Sequence, residues 1–288
     1  MLFGLFNVKA QDVTFGVIQY DMSNIDASVK ALHDAGFTSF EMNYNKKMDK
    51  AFALKLKDAA AKYNMKVTTL VGVPGHSVWN FKQGPATIGL VPKEGREEKL
   101  AAYHTMIDLC VAANIPAMHS HFGFIPEDPS SEQYKDFIEV MKDLANYAKD
   151  KGIMIYFETG QETPTTLIRA IKDIGTGNMF VNCDVANLLL YGKANSADAV
   201  KLFCKAGVLK ELHAKDGFYP DPSNPYELGK EVKIPTGDVN FPAVFKQLKK
   251  YNFKGAITIE CEMSGSNKDY AIKTQKYLRN LWKTTKVK

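Results

Sequence analysis

The sequence predicts a single (β/α)8 TIM barrel, an α/β fold closed by eight parallel strands. Three observations predict it. Eight short apolar, strand-like runs alternate strictly with eight helix-like segments; no change of composition marks a linker across the 288 residues; and polar side chains interrupt the apolar runs at their carboxyl ends. Strict alternation of strand and helix implies parallel pairing. Eight such units in this length fit a closed barrel better than an open sheet. The barrel is assigned to residues 13–288, and residues 1–12 are set apart as an N-terminal stub or the remnant of a signal peptide.

The elements follow in order. Val13 to Gln19 reads as the first strand, and Ser23 or Asn24 caps a helix through Ala35 that Gly36 ends. Phe37 to Asn43 is the second strand, with Glu41 near its end. A Lys/Ala-rich helix over residues 49–63 precedes the third strand, Lys66 to Gly72. A long loop from Pro74 to Gly95 carries His76, Trp79 and Phe81; loops of that length inside a regular pattern tend to be functional. A helix from Arg96 to Asn114 leads to the fourth strand, Pro116 to His121, and a helix from Ser131 to Lys151 leads to the fifth, Ile153 to Phe157. Thr163-Pro164 opens the next helix, with proline in its first turn. The strand Met179 to Cys183, a helix from Ser196 to Ala206 and the strand beginning at Leu209 come next. A second long loop, Gly217 to Pro235, is rich in Pro, Tyr and Asp. A helix from Phe241 to Tyr251, the strand Ala256 to Ile259 and a helix from Lys268 to Trp282 complete the chain.

Composition bounds the partners. Apolar residues make up 45% and charged residues 24%, and no run of 18 apolar residues exists, which argues against a membrane-spanning helix. The net charge of +5 comes almost wholly from lysine; Arg96, Arg169 and Arg279 are the only arginines. Phosphate is gripped best by paired guanidinium donors, so the basic balance reads as solvated surface and nucleic acid is not an expected partner. The four cysteines show no paired spacing, and Cys183 and Cys261 alternate away from the polar strand ends, as buried reduced thiols do. Leu2 to Ala10 resembles the end of a signal peptide but lacks a basic leading segment and has a short apolar run. Two readings stay open: a cytoplasmic protein with a stub, or an exported one whose start lies upstream.

The chemistry concentrates in four strand ends. The fifth strand stops at Glu158, the sixth at Asp184 and the eighth at Glu260, while the seventh carries His213 and Lys215 on one face and Asp216 on the other. Two Glu, one Asp and one His brought to one end of a barrel make a ligand set for a hard divalent cation. Manganese, magnesium, cobalt and zinc would all accept it. One such carboxylate has an ordinary explanation as a cap or a surface pair; three carboxylates and a histidine at the ends of consecutive strands do not.

Phe157-Glu158, Asp184-Val-Ala-Asn187, His213-Ala-Lys-Asp216 and Ile259-Glu260-Cys-Glu262 together resemble the xylose isomerase-like TIM barrels of the sugar phosphate isomerase/epimerase type. The resemblance runs over nearly the whole chain. It implies a metal-dependent isomerase or epimerase acting on a ketose or keto sugar, with one divalent cation held by Glu158, Asp184, His213 and Glu260. A cation gripping adjacent carbonyl and hydroxyl oxygens lowers the pKa of the neighbouring C–H and stabilises the enediolate. Similarity to the ketose epimerases implies that Glu158 and Glu260 also serve as the acid/base pair. By analogy, the protein is expected to pair as a homodimer.

Further side chains are expected at the mouth. His76 and His121 are placed there to bind substrate hydroxyls, Glu41 as a hydroxyl acceptor, Asn187 as a substrate contact or helix cap, and Lys215 for an oxyanion or carboxylate. His119 shares a face with His121 but lies deeper, and His33 and His104 are read as structural. Three other functions compete. A dehydratase or lyase on a keto sugar or inosose would use the same cation and base. An endonuclease IV-like repair enzyme would need extra histidines where Asn187 and Lys215 stand. A sugar-binding barrel without catalysis would have no use for two ionised carboxylates on one cation.

Overall fold

A computed structural model describes residues 13–21, 23–260 and 268–287. The stub at residues 1–12, Cys261 and Glu262 lie outside the described residues. Eight parallel strands close into a barrel in the order β1 (Thr14–Gln19), β2 (Ser39–Asn43), β3 (Lys66–Val71), β4 (Ala117–Ser120), β5 (Met154–Glu158), β6 (Met179–Asp184), β7 (Leu209–Ala214) and β10 (Ala256–Ile259), which returns to β1. The helices α1 (Ile25–Asp34), α2 (Lys50–Lys62), α4 (Arg96–Ala113), α5 (Glu132–Asp150), α6 (Pro164–Ile174), α8 (Ser196–Ala206), α9 (Phe241–Lys250) and α10 (Lys268–Thr284) form the outer ring. No helix among the described residues is long and apolar enough to cross a membrane.

Local chemistry sets the helix ends. Asn24, Asp49, Ser131, Thr163, Asn195 and Asn240 each accept a backbone N–H from the first turn of the helix that follows. Gly175 and Gly207 end α6 and α8 in the left-handed conformation, where a Cβ would be strained.

The strands bury two different faces. Phe40, Met42, Leu70, Met118, Ile155, Phe157, Val181, Cys183, Leu212 and Ile257 belong to the continuous apolar core packed with the helices. The alternate positions point into the barrel. Barrel interiors are usually filled with branched apolar side chains; this one holds Ser39, Glu41, Thr69, His119, Asn182, Glu211, His213 and Thr258, all buried.

The two long loops carry structure of their own. A one-turn helix, α3 (Gly84–Thr87), sits in the first loop, and the buried ammonium of Lys99 on α4 holds it by donating to the Thr87 and Gly89 carbonyls at 2.6 and 3.1 Å. Gly89 is obligatory there: its φ is +68°, and a Cβ would lie 2.0 Å from the Phe122 carbonyl carbon. In the second loop, β8 (Asp216–Phe218) and β9 (Lys230–Val232) pair as an antiparallel ribbon. A further turn, α7 (Asn187–Leu190), follows β6 directly.

Candidate metal centre and catalytic pocket

Four strands deliver the polar cluster. Glu158 ends β5, Asp184 ends β6, His213 lies on β7 and Glu260 follows β10 directly. A ligand atom from each of the four lies within 4.8 Å of every other, and all four residues are buried. His213 Nδ1 stands 2.7 Å from Glu260 Oε2, 3.3 Å from Glu158 Oε1 and 3.9 Å from Asp184 Oδ2. Asp184 Oδ1 accepts the backbone N–H groups of Ala186 and Asn187 at 2.8 and 2.7 Å, whereas its buried Oδ2 has no hydrogen-bond partner. An orphaned carboxylate oxygen among two more carboxylates and an imidazole nitrogen fits a divalent cation, whose positive charge would offset the crowding.

Electrostatics separates the carboxylates. Burial pushes the Glu158 carboxyl up, but the His121, His119 and His213 rings outweigh it and hold it well below the usual range. Glu260 is likewise lowered, because Lys215 and His213 overcome its burial. Asp184 goes the other way: burial, reinforced by Glu260, raises it well above the usual range despite Lys215. His213 loses basicity by burial and regains more from Glu41 and Glu260, so it ends well above the ordinary imidazole value.

A cavity of about 520 Å³ opens over the cluster. Glu158 and Glu260 reach its floor together with His121, Asn187 and Lys215, while Asp184 and His213 lie beneath. His121 Nε2 is 3.3 Å from Glu158 Oε2, and its Nδ1 is 3.0 Å from Gln161 Oε1. Lys215 Nζ is 3.4 Å from Glu260 Oε1 and 3.8 Å from both Asp184 Oδ2 and Glu231 Oε2. Asn187 Nδ2 reaches toward Glu158 Oε1 at 3.5 Å. Trp79 lies edge-on to His121, with ring centroids 5.0 Å apart, and Tyr191 contacts Phe81 and Phe124.

Two expectations need correcting. His76 does not enter the mouth: after Val73 the chain turns at Pro74-Gly75, with Gly75 at φ +84°, and His76 is exposed outside the cavity wall while Trp79 of the same loop lines it. Glu41, expected at the mouth, does not line the cavity. It is wholly buried below the cluster, with its two oxygens 3.1 and 3.2 Å from His213 Nε2 and one of them 3.4 Å from His119 Nδ1. His119 bridges the two levels: its Nε2 is 3.4 Å from Glu158 Oε2 and its Nδ1 is 3.1 Å from Thr69 Oγ1.

The sequence reading missed two residues of the cavity wall, Glu231 and Tyr191, and Gln161, which supports His121. Gln161 orients His121, Glu231 comes from β9, and Tyr191 follows α7. Gln161 stands three residues beyond a strand end, which was a usable signal. Glu231 had none, because its place depends on a ribbon that closes across a long loop.

Similarity to known proteins agrees with this fold. The pattern of the family described as "Xylose isomerase-like TIM barrel" matches residues 29–281. An uncharacterized protein of Methanocaldococcus jannaschii is 29% identical over 151 residues, 49% of this chain and 48% of the relative, so the chain spans about half the length of the curated relative it matches. Among solved structures, a xylose isomerase domain protein from Planctomyces limnophilus is 26% identical with a TM-score of 0.86, covering 95% of this chain and 98% of that one. An L-ribulose 3-epimerase shares the fold at 14% identity and TM-score 0.74, covering 95% of each chain. The probable 3-DHS dehydratase AsbF of Bacillus anthracis shares it at 13% identity and TM-score 0.69, covering 93% and 99%. By its matched span and its closed barrel, the chain belongs to the xylose isomerase-like TIM barrel family.

Proposed function

We propose that this protein is a divalent-cation-dependent sugar isomerase or epimerase that moves a proton beside the carbonyl of a ketose or keto sugar. The observation that carries the reading is the convergence of Glu158, Asp184, His213 and Glu260 under a cavity into which only Glu158 and Glu260 of the four protrude. Those four residues would hold the cation. Bound there, it supplies Lewis-acid polarisation of a carbonyl and its neighbouring hydroxyl, which acidifies the C–H between them.

The chain's own groups then handle the proton. Glu158 and Glu260 are both held ionised at neutral pH, so either can accept a proton from carbon onto its own oxygen. One carboxylate takes the proton from one side of the sugar and later gives it up to solvent, and the other passes a proton taken from solvent to the opposite side. His121 beside Glu158 and Lys215 beside Glu260 fix where each carboxylate points. Asn187, His121, Lys215 and Glu231 offer hydrogen bonds to sugar hydroxyls, and Trp79 and Tyr191 offer flat apolar walls for the C–H face. The likeness to an L-ribulose 3-epimerase supports this reading.

The likeness to a probable dehydratase supports a second outcome at the same site. The same proton abstraction followed by loss of a β-substituent gives elimination. Glu158→Gln and Glu260→Gln test what the two outcomes share. Each is expected to lower turnover by at least about 1,000-fold, with circular dichroism unchanged and bound cation reduced. A fully active Glu260→Gln enzyme would sink the acid/base assignment.

A further inference from the structure

His213 belongs to two groups of buried donors at once. Its Nδ1 faces Glu158, Asp184 and Glu260, and its Nε2 faces both oxygens of Glu41, with His119 alongside. A neutral imidazole carries one lone pair and one N–H, on different nitrogens. It can give its lone pair to one group only, and it turns its proton to the other.

The two groups are unequal. The upper one has three carboxylates, the orphaned Asp184 Oδ2 and a cavity above it. The lower one has a single carboxylate and is sealed inside the barrel, with Glu41, His119 and His213 all fully buried. More carboxylates and an open face favour a cation in the upper group. Resting on the cation-dependent reading above, we infer that Glu41 is a positioning residue. It accepts the Nε2 proton of His213 and so holds the Nδ1 lone pair toward the cation. Glu211 stands near Glu41 inside the barrel, and its Oε1 accepts from Thr258 Oγ1 at 3.4 Å. An irregularity in the β2–β3 register falls opposite Glu41, which alone spans Phe40 to Met42 while Thr68 and Thr69 span their partners Val67 and Leu70 on β3. Such irregularities re-aim side chains. A carboxylate behind a ligating histidine fixes its tautomer and strengthens its donor nitrogen.

The test compares the full-length wild type with Glu41→Gln and Glu41→Ala. Free Mn²⁺ is counted by electron paramagnetic resonance during titration, and the His213 ring nitrogens are read by ¹⁵N NMR in the diamagnetic Zn²⁺-loaded wild type. The expected results are Nε2–H in that spectrum, a Mn²⁺ affinity about 10-fold weaker in Glu41→Gln, whose amide oxygen still accepts the proton, and about 100-fold weaker in Glu41→Ala. Should Glu41→Ala fail to fold, the near-isosteric Glu41→Gln and the wild-type spectrum decide the matter. An Nδ1-protonated His213, or Mn²⁺ affinity in Glu41→Gln within twofold of wild type, overturns the inference while leaving the function proposed above intact. A wild type that binds no divalent cation overturns both.

Discussion

Glu162 stands four residues beyond Glu158, buried and with one carboxyl oxygen lacking a hydrogen-bond partner. Burial is the main cause that pushes its pKa from the usual 4.5 to about 8, against the pull of His121 and Lys193. Between those values the unfolded chain is ionised at this position and the native chain is protonated, so stability falls as pH rises through the window. Glu162→Gln removes that dependence. In chelator, the wild type is expected to lose on the order of a few kcal/mol more than the variant between about pH 5 and pH 8. Parallel melting curves for the two would contradict the burial argument. At this scale much of the site was legible. Glu158, Asp184, His213 and Glu260 each end or interrupt an apolar strand, and alternation assigns their faces. The partner of Glu41 was not legible, because an inward carboxylate reads the same in sequence whether it meets a sugar hydroxyl or an imidazole N–H.

Among the elements, the ribbon of β8 and β9 was the least legible. It appeared only as a loop rich in proline, tyrosine and aspartate, since its pairing is set by contacts beyond any local period. Asp216 is what ties it down. Its carboxylate accepts the backbone N–H groups of Gly217, Gly237 and Val239 at 2.9, 2.9 and 3.2 Å. A Cβ at Gly237 would come within 2.3 Å of the same carboxylate, so the close approach requires glycine. Asp216→Ala leaves those donors unpaired in a largely buried setting and is expected to cost about 2–4 kcal/mol. It also loosens the wall that carries Gly229 and Glu231 into the cavity. Thermal melting should show the loss with the barrel's circular dichroism retained, and the Michaelis constant should rise more than turnover falls. A variant that melts within a degree of wild type would show that the ribbon is held by other contacts. His76 was misplaced for a related reason: a loop's course after a turn at Pro74-Gly75 leaves no periodic trace.

For the molecule as a whole, the alternation of eight strands with eight helices carried the fold, because both periods are written in the apolar pattern. What the pattern did not reveal is how polar the barrel interior is. Glu41, Asn182 and Glu211 sit below the cluster, and Asn182 Oδ1, Asn182 Nδ2 and Glu211 Oε2 have no hydrogen-bond partner. If the crowded carboxylates hold a cation as proposed, the native state should respond to it. Mn²⁺ at about 100 times its dissociation constant is expected to stabilise the fold by about 2.7 kcal/mol, and excess chelator should reverse the shift. Glu158→Gln should show a smaller shift, since it removes one donor from the set.

The most direct measurement is solvent deuterium incorporation, followed by NMR, into a panel of ketoses and 3-keto sugars with the Mn²⁺-supplemented enzyme. Exchange at the carbon beside the carbonyl is expected together with a new stereoisomer, and exchange with loss of the β-substituent would assign the elimination outcome. Tight Mn²⁺ binding without exchange on any sugar of the panel would contradict proton transfer by Glu158 and Glu260 and leave a sugar-binding barrel.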